Sequence, residues 1–259
     1  MRKLAIIAAA ALGALAALCA WGAVGTVLSS FPWPGARDAY RDGDYAYSVA
    51  SPNTLRAYTA SGSLVNSVSL AGLADAGDAD HSVLGGAYIA VLDGKNLLRD
   101  YVISTGSLAR SVAVADCVGY AYIPGGAYMY VAARAYVYRY KTGGSLVSSF
   151  RILGPYIGGI AAADAFNGQS GEYIIVAVWA YDSDVGMVYT GAGSAVATFT
   201  IPGSTYGCVC GPGYPASYGT TFWCNSDLGA GKRVAYQLDL GNGTAVAPVS
   251  LGRVRALFR

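Results

Sequence analysis

The chain has 259 residues, of which 54% are hydrophobic and 12% are charged, and its formal net charge at pH 7 is +2. This length allows one large domain or two small ones, and the 35 glycines and 21 tyrosines favour many turns and strands over disorder. The weak net charge and the lack of a basic cluster argue against a nucleic-acid partner.

The first 23 residues have the pattern of a secretory signal peptide. Arg2 and Lys3 precede an apolar run at 4–18, which is short for a transmembrane span, and small residues follow it. We expect cleavage of this segment, with an uncleaved anchor as the alternative. Residues 24–259 are then expected to form one domain without a further membrane span, in a secreted, periplasmic or other cell-envelope location.

A glycine followed by a short apolar run recurs along the chain, as in SGSLVNSV at 61–68 and TGGSLVSSF at 142–150. The glycines that anchor this motif are Gly25, Gly62, Gly106, Gly144, Gly193 and Gly243. The intervals between them are 37, 44, 38, 49 and 50 residues. A motif with this period is typical of the four-stranded blades of a β-propeller.

Each interval contains four segments that read as strands joined by hairpin turns. After the apolar run comes a strand of small residues, such as IGGIAAA at 157–163, and then a bulky alternating strand, such as AYMYVAA at 127–133. A fourth strand, such as YVYRYK at 136–141, completes the unit. Small residues suit the innermost strand, where blades crowd the axis, and aromatic residues suit the middle strands.

The predicted fold class is therefore all-β, a β-propeller of four-stranded antiparallel blades. Five units lie between Gly25 and Gly243, so we predict five blades, with six as the alternative. A ring hides its strand edges only if it closes on itself. We expect the first outer-type strand, TVLSSF at 26–31, to pair with the last blade.

The repeated succession Gly-Ser-Leu-Val-x-Ser-Phe, Gly-Ile-Ala, Tyr-x-Tyr-Val-Ala and Val-Tyr-x-Tyr resembles the repeats of bacterial secreted β-propellers of the NHL/YVTN-like group. The resemblance extends over most of residues 25–252 and implies the propeller fold. Propellers of this kind include binding modules, scaffolds and enzymes, so the resemblance does not select a function.

The segment FPWPGAR at 31–37 places Trp33 between two prolines, with Arg37 close by. An exposed indole on such a stiff loop can stack on a sugar or an aromatic ligand, and both residues are candidates for ligand binding. The structural alternative is packing of the indole over the end of a neighbouring blade.

The densest polar stretch is LADAGDADHS at 73–82, which contains Asp75, Asp78, Asp80 and His81. Carboxylates at this spacing can bind Ca²⁺, so Asp75, Asp78 and Asp80 are candidate metal ligands, although the spacing is not that of a known calcium loop. Asp78 and His81 are also candidates for ligand binding. A solvated loop is the alternative, and no other cofactor is predicted.

A second polar loop, AYDSDVG at 180–186, carries Tyr181 and Asp182. We include both as candidates for ligand binding because the loop lies between two predicted middle strands. The simpler interpretation is a hairpin turn.

Export would leave four cysteines, at 117, 208, 210 and 224, in an oxidising environment. Cys208 and Cys210 share one face of a predicted strand, and Cys224 lies in the next strand. A disulfide from Cys208 or Cys210 to Cys224 is one prediction, and four buried thiols are the other.

The sequence offers little acid–base chemistry, since it has one histidine, His81, and one glutamate, Glu172. We therefore expect a non-enzymatic exported propeller that binds a ligand, a protein or a glycan, or serves as a scaffold of the cell envelope or extracellular space. Two alternatives stay open. One is a hydrolase or lyase with an Asp-rich site in the pore, with or without a bound metal, and the other is a carbohydrate-binding module.

Overall fold

The computed structural model describes residues 24–33, 40–42, 45–50, 52–59, 61–94, 96–115, 117–154, 156–179, 184–212, 218–229 and 232–241. In these ranges the chain forms twenty β-strands, which are arranged as five four-stranded antiparallel sheets. No helix in this part of the chain has the length and apolar character needed to cross a membrane. The predicted signal segment, residues 1–23, lies outside the described residues.

Each sheet is one blade, and the first four blades run from the axis outward in chain order. Blade 1 consists of β2 (Tyr40–Asp42), β3 (Tyr45–Ala50), β4 (Thr54–Thr59) and β5 (Leu64–Ser69). Blade 2 consists of β6 (Ala76–His81), β7 (Tyr88–Asp93), β8 (Leu97–Val102) and β9 (Leu108–Ala113). Blade 3 consists of β10 (Gly119–Tyr122), β11 (Tyr128–Ala133), β12 (Tyr136–Lys141) and β13 (Leu146–Arg151). Blade 4 consists of β14 (Ile157–Phe166), β15 (Gln169–Val178), β16 (Asp184–Thr190) and β17 (Ala195–Ile201).

Blade 5 closes the ring, because it combines the first strand of the fold with the last three. It consists of β18 (Ser204–Pro212), β19 (Thr220–Asp227), β20 (Arg233–Leu238) and, as its outermost strand, β1 (Val27–Pro32). Strand β1 is antiparallel to β20, with Phe31 opposite Ala235. The predicted closure by the first strand is confirmed, and the blade count is five.

The recurring glycine has a conformational cause. Gly25, Gly62, Gly106, Gly144 and Gly193 each precede the outermost strand of a blade, and their φ angles lie between 69° and 95°. Residues with a side chain rarely adopt this region. At Gly106 an added Cβ would also overlap the carbonyl oxygen of Ser69, in the neighbouring blade. The sixth motif glycine, Gly243, lies outside the described residues.

The innermost strands β2, β6, β10, β14 and β18 contact one another around the axis. Their small residues allow this close approach. An added Cβ at Gly119 of β10 would lie 2.8 Å from Cγ2 of Ile160 on β14, and one at Gly159 would lie 2.8 Å from Sγ of Cys208 on β18. The prediction that small residues occupy the innermost strands holds at Gly119 and Gly159, whereas β2 of blade 1, Tyr40–Asp42, has none.

The core lies between the blades, where the middle strands pack against each other. Ile89, Val131, Ile175 and Phe222, one from each of β7, β11, β15 and β19, have no exposed surface. Burial of such a side chain contributes roughly 1.5–3 kcal/mol to folding. The outermost strands β5, β9 and β13 are mostly exposed, so the buried side chains of these three blades belong mainly to their inner three strands.

Candidate functional site

A cavity of about 690 Å³ opens at the end of the ring where the innermost strands end, which we call the cavity face. Its wall includes the segments that follow β6 and β10, the second half of β14, the end of β18 and the start of β19. The cavity therefore lies around the axis and is bordered by blades 2 to 5. Many residues of the cavity wall are glycine or alanine, whose small size leaves room for this volume. The polar residues of the wall include His81, Ser82, Tyr122, Asp164 and Thr220.

His81 lines this cavity at the end of β6, and its imidazole contacts the side chain of the preceding residue. Its Nδ1 lies 2.6 Å from Oδ1 of Asp80, and the same oxygen accepts a 2.6 Å hydrogen bond from the backbone amide of His81. Asp80 is 1% exposed and His81 is 8% exposed. The strand thus presents a histidine to the cavity with a buried carboxylate behind it.

The environment of Asp80 acts in two directions on its carboxyl group. Burial raises the pKa of Asp80 above its ordinary value, and the hydrogen bond and charge of His81 lower it. Oδ2 of Asp80 also accepts a 3.2 Å hydrogen bond from the backbone amide of Tyr122 on β10. Both carboxylate oxygens therefore have donors, which compensates for the removal of this group from water.

A buried network fixes the wall next to His81. The hydroxyl of Ser82 donates a 2.6 Å hydrogen bond to Asp100 on β8, which is fully buried, and Asp100 forms a 2.5 Å ion pair with Nε of Arg110. Nη1 of Arg110 donates to the carbonyl of Thr142 in blade 3. The Ser82 hydroxyl also accepts from the amide of Leu84. The cavity wall after β6 is thereby joined to the interface between blades 2 and 3.

Asp164 is a second titratable residue of the cavity, and the sequence analysis did not select it. It lies in an alanine run of β14, at a β-bulge between Ala163 and Ala165 that shifts the register with β15. The side chain is exposed and lines the cavity. Bulges are frequent next to functional sites because they redirect a side chain. A lone carboxylate within an apolar inner strand was the available sequence signal.

The cavity also borders Cys210, which is 4% exposed. Burial raises the pKa of the Cys210 thiol well above its ordinary value, and the nearby carboxylates of Asp80 and Asp164 raise it further. The thiol is therefore protonated at neutral pH and is a weak nucleophile.

The predicted disulfide is not formed, because Cys208, Cys210 and Cys224 are all free buried thiols. In the antiparallel pairing of β18 with β19, Cys208 lies directly opposite Cys224. Burial raises the pKa of Cys208 well above its ordinary value and that of Cys224 to about 12. Disulfides form through the thiolate, which burial disfavours here. The alternative of buried thiols is the one that the structure shows.

The predicted metal ligands do not converge. Asp75 is exposed and precedes β6, roughly 20 Å along the strand from His81 at 3.3 Å per residue. The carboxylates of Asp78 and Asp80 accept hydrogen bonds from backbone amides of Tyr120 and Tyr122. Among the described residues, no group of three or more His, Cys, Asp or Glu side chains is arranged to hold a metal ion.

Trp33 is not a ligand-stacking residue, contrary to the first sequence prediction. It is 4% exposed, its ring lies 5.3 Å from that of Tyr58 and 5.9 Å from that of Phe31, and all three belong to one core cluster. The indole thus packs between blades 1 and 5. The alternative prediction of packing is confirmed.

The structure brings only some of the predicted ligand-binding residues to the cavity. His81 lines it, and Asp78 is buried nearby in the same strand. Arg37, Tyr181 and Asp182 lie outside the described residues, so their predicted roles stay predictions.

No family model matches this sequence, and no curated protein matches it. Among solved structures, the chain is similar to a glutaminyl cyclase of Myxococcus xanthus, with a TM-score of 0.60 and 14% sequence identity. The match covers 86% of this chain and 98% of the cyclase. At this identity the likeness shows the fold, a β-propeller.

The comparison corrects the main functional expectation of a non-enzymatic binding or scaffold module. The fold is shared with an enzyme, and the cavity face of this chain carries a histidine with a buried carboxylate partner. The alternative of an enzyme with its site in the pore fits these findings better.

Proposed function

We propose that this protein is an enzyme that carries out proton-transfer chemistry in the cavity on its axis. The observation that carries the proposal is the 2.6 Å contact between Oδ1 of Asp80 and Nδ1 of His81, on the wall of the cavity. A histidine with a fixed carboxylate partner is a common general acid–base group.

The contact sets the roles of the two ring nitrogens. A carboxylate at Nδ1 favours the tautomer in which Nδ1 carries the hydrogen, so Nε2 has the lone pair that accepts a proton. When Nε2 is protonated, the negative charge of Asp80 stabilises the imidazolium. Asp80 is a positioning residue in this scheme, and His81 is the residue that contacts the substrate.

The neighbouring groups favour direct proton transfer over a covalent intermediate. The Ser82 hydroxyl donates its proton to Asp100, and it accepts from the amide of Leu84. The Cys210 thiol is kept protonated by burial. The proposed reaction is therefore a hydrolysis in which His81 activates water, or an elimination or ring closure in which it acts on the substrate itself.

Substrate assays have a defined starting point. The structural neighbour is named for the cyclisation of glutaminyl substrates, so peptides with an N-terminal glutamine are the first compounds to test. Aryl esters and aryl glycosides test the hydrolase branch, and uronate-containing polysaccharides test the lyase branch.

The experiment compares purified wild type, His81→Gln, Asp80→Asn and Asp75→Asn on this panel. We expect His81→Gln to lower turnover by about 10²–10⁴-fold, as for loss of a general acid–base, and Asp80→Asn to lower it less. Asp75→Asn, at the start of the same strand and exposed, is the matched control and should keep wild-type turnover. Wild-type turnover in folded His81→Gln would overturn the proposal.

Chemical modification gives a second readout, because His81 is the single histidine in 259 residues. In protein without a histidine tag, diethylpyrocarbonate modification of histidine reports on this residue alone. Turnover should fall in proportion to the fraction of His81 modified. Full turnover after complete modification would contradict the proposed role.

We further propose that the enzyme acts outside the cytoplasm, since residues 1–23 have the pattern of a signal peptide. Membership in the NHL/YVTN-like group is a proposal of the same kind, supported by the repeat pattern of residues 25–252. Detection of the protein in the cytoplasmic fraction of its native cell, with residues 1–23 retained, would contradict export.

A further inference from the structure

Asp164 stands apart from the other carboxylates near the axis. Asp78, Asp80 and Asp100 are buried and bonded to amides, to His81 or to Arg110. Asp164 is exposed on the cavity wall, and no hydrogen bond or ion pair joins it to another described residue. The protein therefore leaves this carboxylate available to a molecule in the cavity.

The backbone around Asp164 indicates that this placement is built into the strand. The residues before it, Ala161 to Ala163, are buried and pair regularly with β15. The register then shifts by one residue between Ala163 and Ala165, where Asp164 alone lies opposite Gly171 and Glu172, so the extra residue of the bulge belongs to β15. Asp164 therefore lies opposite the bulge, where regular pairing with β15 is interrupted, and its side chain is exposed at the cavity.

The polar groups around Asp164 complement it. His81 and Thr220 line the same cavity, and the hydroxyl of Tyr122 donates to the carbonyl of Gly126. Among the described residues that line the cavity, Asp164 is the one carboxylate, the side-chain type that supplies negative charge. In a concave site with apolar walls, such a charge attracts a cation more strongly than on an open surface.

We propose that Asp164 is the anchor for a positively charged ammonium group of the ligand. The cavity then takes a small organic amine, or the amine-bearing end of a larger molecule, and holds the remainder against His81. This inference deepens the proposed function and rests on it for the role of His81, but the binding step itself does not require catalysis.

The test uses three probes of similar size and different charge, which are n-butylamine, n-butanol and butyrate, at pH 7. Because the chain has one histidine, the imidazole proton resonances of tag-free protein report binding in the cavity without a known substrate. We expect a saturable shift with butylammonium, little shift with butanol and none with butyrate. The butylammonium affinity should fall as salt is raised.

The variant Asp164→Asn removes the charge and keeps the shape of the side chain. It should weaken butylammonium binding at least tenfold, while Asp75→Asn, which changes an exposed carboxylate outside the cavity, should leave it unchanged. Equal binding of butylammonium and butyrate, full affinity in Asp164→Asn, or no saturable shift in wild type would each overturn the assignment.

The result separates this inference from the proposed function. Amine binding that depends on Asp164, together with turnover that is insensitive to His81→Gln, would support the anchor and overturn the acid–base role. Turnover that depends on His81, on substrates without an amine and with full activity in Asp164→Asn, would support the enzyme and overturn the anchor.

Discussion

Oδ2 of Asp78 on β6 accepts a 2.9 Å hydrogen bond from the backbone amide of Tyr120 on β10. Two residues further along each strand, Asp80 makes the same contact with the amide of Tyr122. Innermost strands have one edge without a partner strand, and the amides on that edge would otherwise be buried without acceptors. The two carboxylates therefore join blade 2 to blade 3 at the axis.

Replacement of Asp78 should destabilise the ring. In Asp78→Ala the buried Tyr120 amide loses its acceptor, which costs about 1–3 kcal/mol. Asp78→Asn keeps an oxygen acceptor and should cost less. The measurement is urea unfolding followed by tryptophan fluorescence.

The control is Asp75→Ala, because Asp75 is exposed at the start of the same strand. It should change the free energy of unfolding by less than about 0.5 kcal/mol. If Asp78→Ala were as stable as Asp75→Ala, the contact between the blades would be of no energetic importance.

The repeat made the fold predictable. A glycine with positive φ is needed before each outermost strand, as at Gly62 and Gly144, and no other residue is accommodated as readily there. The same local requirement recurs in every blade. The repeat in the sequence therefore predicted both the number of blades and the pairing of β1 with the last blade.

The site was less predictable because it depends on contacts between distant segments. The acidic stretch at 73–82 contains His81, which lines the cavity, but the contacts of Asp78 and Asp80 depend on amides of β10, more than 40 residues away. Asp164 lies opposite a bulge in β15, and although its lone carboxylate is visible in the apolar strand, the register shift is not visible in the sequence. Trp33 was misjudged because prolines show that a loop is stiff but not which way its side chain points.

The burial of Trp33 predicts a structural role for its indole. Trp33→Ala should lower the free energy of unfolding by about 3–5 kcal/mol, as for loss of a large core side chain. Trp179 is the matched control, since it is 43% exposed; its Nε1 donates a hydrogen bond to the carbonyl of Thr205, and its ring stacks on that of Tyr156.

Trp179→Ala should cost about 1–2 kcal/mol, because it removes this hydrogen bond and the stacked ring contact. Thermal and urea unfolding of the two variants provide the comparison. A Trp33→Ala protein with wild-type stability would return Trp33 to the set of possible ligand-binding residues.

Buried thiols predict a loss of stability at alkaline pH. The pKa of Cys224 is raised by burial from about 9 to about 12 in the folded chain, so above pH 9 the unfolded chain loses its thiol proton first. The folded state then binds more protons, and the free energy of unfolding falls as pH rises through this window. The contribution of one thiol reaches about 1.4 kcal/mol per pH unit.

The measurement is urea unfolding between pH 8 and 10.5 with a reductant present. Cys224→Ala should lose less stability over this range than wild type does. Val209→Ala, which removes a buried group without a titratable proton from the adjacent strand, should keep the wild-type pH dependence. A constant difference between wild type and Cys224→Ala at every pH would contradict the role of the thiol.

The packing of Gly186 on β16 against Phe199 on β17 gives a test of the fold within a single blade. An added Cβ at Gly186 would overlap the Phe199 ring, so Gly186→Ala should cost about 1–3 kcal/mol through overpacking. Gly143 is the control: an added Cβ there has no atom within 4 Å, and Gly143→Ala should change stability by less than about 0.5 kcal/mol.

The double variant Gly186→Ala with Phe199→Ala tests whether the Phe199 ring is the cause of this cost, because without the ring the added methyl group has space. Gly186→Ala should then be close to neutral in the Phe199→Ala background, and an equal cost in both backgrounds would show that the strand backbone, not the ring, requires glycine.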